Sequence, residues 1–276
     1  MIIDAHQHFW RYDPVGYAWI NDDMKAIRRD FGPADLKPML DRYGVDGTVV
    51  VQVEEKNEDT LFMLDHAERN DFIKGVVGWT DLTSSRLEDD LRSWKRYGKL
   101  KGFRAIMQGA PDDRFLTNKV FQAGVRKLHD FGYTYDVLIY HDQMASTARF
   151  LEKCPDQPMI LDHIAKPAIR DGEIRKWREH MKLLASFPNL HCKLSGIITE
   201  ARWDRWSYDE LYPYLETAGE FFGTERLCFG SDWPVCLVAG KYDEVLGTVK
   251  HFLEQVSVTE QGRVLSGNTL SFYKLH

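Results

Sequence analysis

Short apolar, β-branched runs recur along the chain, and between them lie longer stretches whose apolar residues return every three or four positions. Eight runs read as strands: residues 1–6 (MIIDAH), 46–54 (DGTVVVQVE), 73–82 (IKGVVGWTDL), 100–107 (LKGFRAIM), 133–140 (YTYDVLIY), 158–164 (PMILDHI), 190–196 (LHCKLSG) and 226–233 (RLCFGSDW). Most are apolar at successive rather than alternate positions, the pattern of strands covered on both faces. Helical periodicity is clearest at Val120, Phe121, Gly124, Val125, Leu128 and Phe131, and again at Met144, Thr147, Ala148 and Leu151. Gly44, Gly132 and Gly223 fall just past helical stretches, where a left-handed residue ends a helix at little cost. Strict alternation of eight strands with helices, and no GxGxxG at any strand–helix junction, predicts a closed (β/α)8 TIM barrel rather than an open doubly wound sheet.

The chain has 276 residues, close to the roughly 250 of one such barrel, and the expectation is a single domain over residues 1–276. A formal net charge of -6 gives no electrostatic reason to expect nucleic acid or an anionic membrane, and points to a small-molecule partner. The start, MIIDAHQHFW, lacks the basic and apolar segments of a signal peptide, and no apolar run approaches the roughly 20 residues that span a bilayer. Cys154, Cys192, Cys228 and Cys236 show no CxxC spacing, so they read as packing residues of a cytoplasmic protein.

Two strand-to-helix connections are long, residues 9–33 and 196–210. The first carries Phe9, Trp10, Tyr12, Tyr17 and Trp19, and the second Arg202, Trp203, Arg205 and Trp206. In a barrel both lie over the catalytic face, either walling a pocket or packing the loops down. Exposed aromatics there would also suit a homodimer.

Asp4, His6 and His8 alternate on the first strand, so period-two geometry points all three side chains one way. Two imidazoles so placed can share a metal ion or bond one substrate oxygen. Polar or ionisable groups also interrupt the apolar runs at the ends of other strands: Glu54, Asp81, Arg104, His163, Lys193 and Asp232. A buried charge costs several kcal/mol unless paired or used, so the set asks for a site.

Asp232, in CFGSDWPVC, is the candidate general base, with capping of the following turn as its structural alternative. His163, in LDHIAKP, can donate to a developing oxyanion or stand as a satisfied core histidine. Arg104 offers a planar fork to substrate, or a buried partner to Asp81 or Glu54. Lys166 and Lys193 read equally as substrate ligands and as counter-charges. His66, His129, His180 and His251 fall on helical stretches and read as surface or packing residues.

DAHQHFW, KGFRAIMQ, LDHIAKP, HCKLSG and FGSDWPV resemble, in this order, the motifs of the amidohydrolase-2 group of the amidohydrolase superfamily. More narrowly they resemble its sugar-lactone hydrolases, typified by L-fuconolactonase and L-rhamnonolactonase. The resemblance runs from the first strand to the eighth. It implies a hydrolase of carbohydrate metabolism in which His6, His8 and Asp232 surround the attacking water, His163 lies near the lactone carbonyl and Arg104 meets the substrate. Trp79, Trp233, Trp10 and Lys193 complete the expected substrate contacts.

The superfamily's two-metal centres use a lysine or carboxylate on strand four, where this chain has Arg104, with Lys101 too early. Many relatives also end strand five with histidine, whereas here Asp136 is mid-strand and His141 lies in the loop. The expectation is therefore at most one divalent ion, Zn2+ or Mn2+, held by His6, His8, Asp232 and Glu54 or His163, beside metal-free hydrolysis of a reactive ester. The competing activities are a metal-dependent decarboxylase of an aromatic or muconate-type acid, an amidase or deaminase, and a non-catalytic sugar-acid binding barrel.

Overall fold

A computed structural model describes residues 1–275. Eight parallel strands follow one another in chain order around one sheet: β1 (Ile3–Gln7), β2 (Gly47–Val51), β3 (Ile73–Gly78), β4 (Leu100–Ile106), β5 (Thr134–Leu138), β6 (Met159–Leu161), β7 (Leu190–Leu194) and β8 (Leu227–Phe229). The ring closes between β1 and the segment after β8, where His8 N–H donates to the Trp233 carbonyl (2.7 Å) and Asp232 N–H to that of His6 (2.8 Å). The arrangement is the (β/α)8 barrel that the alternation predicts.

The surrounding helices are α1 (Pro33–Tyr43), α2 (Asn57–Arg69), α3 (Leu87–Trp94), α4 (Lys119–Asp130), α5 (Met144–Leu151), α6 (Arg175–Ala185), the one-turn α7 (Ile197–Glu200), α8 (Tyr208–Phe222), α9 (Tyr242–Leu253), α10 (Val258–Gly262) and α11 (Asn268–Phe272). Gly44, Gly132 and Gly223 all have positive φ just past a helix, as their placement predicts. On α4 the buried stripe is Phe121, Gly124, Val125 and Leu128. Val120, expected in that stripe, is 59% exposed, because the buried face follows i, i+3, i+4, i+7 from Phe121 and Val120 falls to its side. No described helix is long and apolar enough to cross a membrane.

Most of the core lies between strands and helices. A second apolar cluster fills the amino-terminal end of the barrel: Ile3, Ala5, Val49, Val51, Val77, Ile160 and Cys228 meet Phe272, Tyr273 and Leu275, which plug it from below. The opposite, carboxyl-terminal end is left open for polar groups.

The strands are shorter than their apolar runs suggest. β6 stops at Leu161, and residues 163–166 then turn with φ of 55, 46, 60 and 46°, a left-handed turn without glycine. Each such residue costs about 1–2 kcal/mol, strain that persists only where surrounding structure enforces it. β8 stops at Phe229, and Asp232 lies three residues beyond it with φ 56° rather than closing the strand.

β1 differs from the alternating reading in a second way. Its register against β2 shifts between Asp4 and Gln7, the mark of a β-bulge. Ala5 packs inside the barrel, His6 and His8 beyond the bulge face its open end, and Asp4 points away to the Ser231 hydroxyl (2.5 Å) and the Tyr242 hydroxyl (3.0 Å). The expectation that Asp4 shares the direction of the two histidines is therefore corrected: one extra residue inverts its side.

Candidate active site

His6, His8 and Asp232 converge at the open end of the barrel. His6 Nε2 lies 3.1 Å from His8 Nε2, and Asp232 Oδ1 lies 3.3 Å from His8 Nε2 and 3.8 Å from His6 Nε2. All three are buried. His8 Nδ1 donates to the Val51 carbonyl at 2.7 Å, which orients the ring with Nε2 toward the cluster. Gly230 makes the convergence of β1 and β8 feasible, since a Cβ there would lie 2.8 Å from His6 Cβ and 3.0 Å from Ser195 Cβ.

A tetrahedral ion with bonds of about 2.0–2.1 Å to nitrogen and oxygen needs ligand atoms roughly 3.3–3.4 Å apart. The three separations bracket that value, so these residues fit one divalent ion with an open fourth position. A second triple, His6, Asp162 and His163, also brings its ligand atoms within 4.8 Å of one another. Its carboxylate, however, is already engaged by two cations, Arg104 Nη1 at 3.0 Å and Lys193 Nζ at 2.9 Å.

Those cations belong to a buried network under the cluster. Lys193 Nζ contacts Asp136 Oδ2 (2.5 Å), Asp162 Oδ1 and His6 Nδ1 (3.1 Å), and Tyr273 donates its hydroxyl to Asp136 at 2.8 Å. Two carboxylates face two cations, so the network is neutral in sum. Burial pushes the Asp136 carboxyl up to about 6 against the pull of Lys193. Burial would lower the Lys193 ammonium, but Asp136 and Asp162 outweigh it and hold the group charged. For His6, burial and Lys193 together depress protonation well below the usual imidazole range.

His163 stands at the head of the left-handed turn. Its Nδ1 is 2.9 Å from the Ser195 hydroxyl and its Nε2 3.9 Å from Asp232 Oδ1. Burial lowers its pKa to about 4, so it is neutral at pH 7. Burial acts to raise Asp232, but His163, His8 and His6 overcome it and keep the carboxyl below the usual range, hence ionised. The close seat of the His163 ring requires Gly196: at φ 61°, a Cβ there would stand 2.6 Å from Nδ1.

A cavity of about 370 Å3 opens above, with His8, Arg104, His163 and Asp232 in its wall. Trp10, Trp19 and Met24 from the first long loop and Trp203 from the second complete the wall. Each loop also packs down, with Trp10 Nε1 bonded to the Arg29 carbonyl and Trp206 Nε1 to that of Ala239 (2.8 Å), so both readings of the loop aromatics hold.

Several expected site residues lie elsewhere. Glu54 is paired to Lys56 at 2.7 Å and belongs to neither metal-competent triple, because β2 ends at Val51 and the chain has already turned outward. Asp81 is exposed and bonds Thr83. Arg104 therefore pairs with neither, and its partners are Asp162 and Gln52. Lys193 is fully buried in the ion network, out of the cavity wall. Trp79 lines a separate hollow with Asp81 and Arg114, and Trp233 is buried against Phe9 and Phe31. Asp162, Gln52, Ser195 and Glu200 gained no role from the sequence, although a carboxylate directly after the apolar run MIL was a signal for Asp162.

The family model described as Amidohydrolase matches residues 3–275. Among curated proteins, the L-fucono-1,5-lactonase of Burkholderia ambifaria is 37% identical over 99% of this chain and 95% of its own length. That of Burkholderia multivorans is 36% identical over 99% and 96%. The crystal structure of an amidohydrolase from Burkholderia multivorans with bound zinc superposes with a TM-score of 0.96 at 36% identity, covering 100% of both chains. With the match running from the first strand to the plug beneath the barrel, and relatives above 30% identity along their whole length, the chain belongs to the amidohydrolase family.

Proposed function

We propose that this protein is a hydrolase that opens a sugar-acid lactone, of the L-fucono- or L-rhamnonolactone kind, to the free acid. The observation that carries the reading is the ionised Asp232 carboxylate, set beside two imidazoles in the wall of a cavity that it shares with neutral His163 and cationic Arg104. Full-length relatives that bear a lactonase name support the choice of substrate.

Asp232 accepts a proton from water as the water oxygen forms its bond to the lactone carbonyl carbon. The carbonyl π pair moves to oxygen, where His163 and Arg104 provide donors for the growing charge. For His163 this needs Ser195 to donate to Nδ1, which leaves hydrogen on Nε2. As the carbonyl re-forms, the ring C–O bond breaks, and the proton taken up by Asp232 returns to the departing alkoxide. Trp10 and Trp203 cover the ring and limit bulk water.

His6, His8 and Asp232 would hold a divalent ion, zinc or manganese. Such an ion supplies Lewis acidity toward water or carbonyl oxygen.

The test is acid release from a panel of aldonolactones in a pH-indicator assay, with Asp232→Asn alongside. Rapid release that falls by about 10²–10⁴-fold in the variant supports the reading. Release from no lactone, or carbon dioxide from an aromatic acid, sinks it.

A further inference from the structure

The cavity wall carries an acid–base pair that the reaction does not use. Lys166 closes the left-handed turn after β6, and Glu200 closes the one-turn helix α7 after β7. Both line the cavity that holds His163 and Asp232, and their side chains are only 16% and 22% exposed. Their charged atoms are 3.5 Å apart, well beyond the roughly 2.7–2.9 Å of a charge-assisted hydrogen bond. Neither has another ion-pair partner among the described residues.

A half-buried pair held this loosely gives up hydration without gaining full contact, which is costly unless a ligand completes it. Arg104 and Gln108 line the same cavity, and each has a buried polar atom without a protein partner, Nε, a donor, and Oε1, an acceptor. The lining of one cavity thus includes donors and acceptors, the complement of a ring with several adjacent hydroxyls, each of which both donates and accepts.

We propose that Lys166 and Glu200 determine substrate specificity, with the Glu200 carboxylate accepting from ring hydroxyls of the lactone and the Lys166 ammonium donating to them. The assignment rests on the lactonase reading and adds the residues that select among lactones. Sites built to bond a substrate hydroxyl discriminate strongly against analogues that lack it, because their own polar groups are then left bare. The same pair could instead only tie the two loops together, and in that case substrate choice would not depend on it.

The experiment compares kcat/KM for a hydroxylated six-membered aldonolactone with that for δ-valerolactone, whose ring carries no hydroxyl, in wild-type protein, Glu200→Gln and Lys166→Met. The expected result is a wild-type preference for the hydroxylated lactone that falls at least ten-fold in each variant, with the loss mainly in KM. A ratio unchanged within two-fold while both rates fall together overturns the assignment, and so does a wild type without preference. Should Glu200→Gln fail to fold, Lys166→Met alone decides. Wild-type protein that opens neither lactone, nor any other aldonolactone, defeats the lactonase reading itself.

Discussion

Arg104 Nη1 lies 3.0 Å from Asp162 Oδ2, and both side chains are buried. Asp162 also meets Lys193 Nζ and His6 Nδ1, so one carboxylate on the turn after β6 fixes groups from β1, β4 and β7. Removing its charge leaves two buried cations with a single carboxylate, Asp136. Breaking such a buried pair costs about 3–5 kcal/mol, a large part of the roughly 5–15 kcal/mol that holds a typical domain folded. Asp162→Asn should therefore unfold at much lower urea than wild type. A midpoint within experimental error of wild type would show that the network is dispensable.

Metal binding should register as stability. At free zinc one hundred times the dissociation constant, linkage predicts about 2.7 kcal/mol of stabilisation. For a chain of this size that is a rise in Tm of several degrees on adding zinc to chelator-treated protein. His8→Ala removes a ligand atom placed 3.3 Å from Asp232 Oδ1 and should abolish the rise. An equal rise in the variant would move the site away from His8.

Gly196→Ala tests the seat of His163. The substitution puts a side chain at φ 61° and a Cβ at 2.6 Å from His163 Nδ1, so the ring must leave its bond to Ser195. The left-handed backbone alone costs about 1–2 kcal/mol. We expect kcat to drop more than ten-fold with a modest loss of Tm. Full activity would mean that the position of His163 is unimportant to turnover.

His191 on β7 makes stability depend on pH. Burial lowers its pKa to about 4, from an ordinary 6.5, and its ring packs on Phe272. The unfolded chain thus takes up a proton near pH 6.5 that the folded protein refuses until about pH 4. The stability it contributes is complete above pH 6.5 and is lost as pH falls toward 4. Between pH 7 and 5 the loss is on the order of 1 kcal/mol, after allowance for partial exposure. Asp4 and Asp136, both pushed up to about 6 by burial, act in the opposite direction, so the effect is read as wild type minus His191→Phe. No difference in pH slope between the two proteins would refute it.

The barrel was legible because successive apolar residues leave little choice but buried parallel strands, and the pairing of His6 with His8 followed from strand period. Asp4 was misread because a bulge of one residue leaves no trace in an apolar pattern, yet it reverses a side chain. Glu54 and Asp81 were misread for the opposite reason: a charge just past a strand end can turn inward or outward, and only the path of the loop decides. Lys193 read equally as ligand and as counter-charge because its partners, Asp136 and Asp162, are 57 and 31 positions away in sequence, and no local rule connects them. The loop aromatics divided between wall and packing according to contacts that loop geometry alone supplies.

The turn from His163 to Lys166 inverts a familiar rule of protein engineering. Replacing a buried alanine by glycine ordinarily weakens a fold, through lost contacts and a freer unfolded chain. At Ala165, fully buried with φ 60°, the folded state already bears the cost of a left-handed alanine, about 1–2 kcal/mol, which glycine would relieve. That relief is about as large as the loss, so Ala165→Gly should leave Tm nearly unchanged, and this strained corner becomes a place where the backbone can be loosened beside the pocket at almost no expense in global stability.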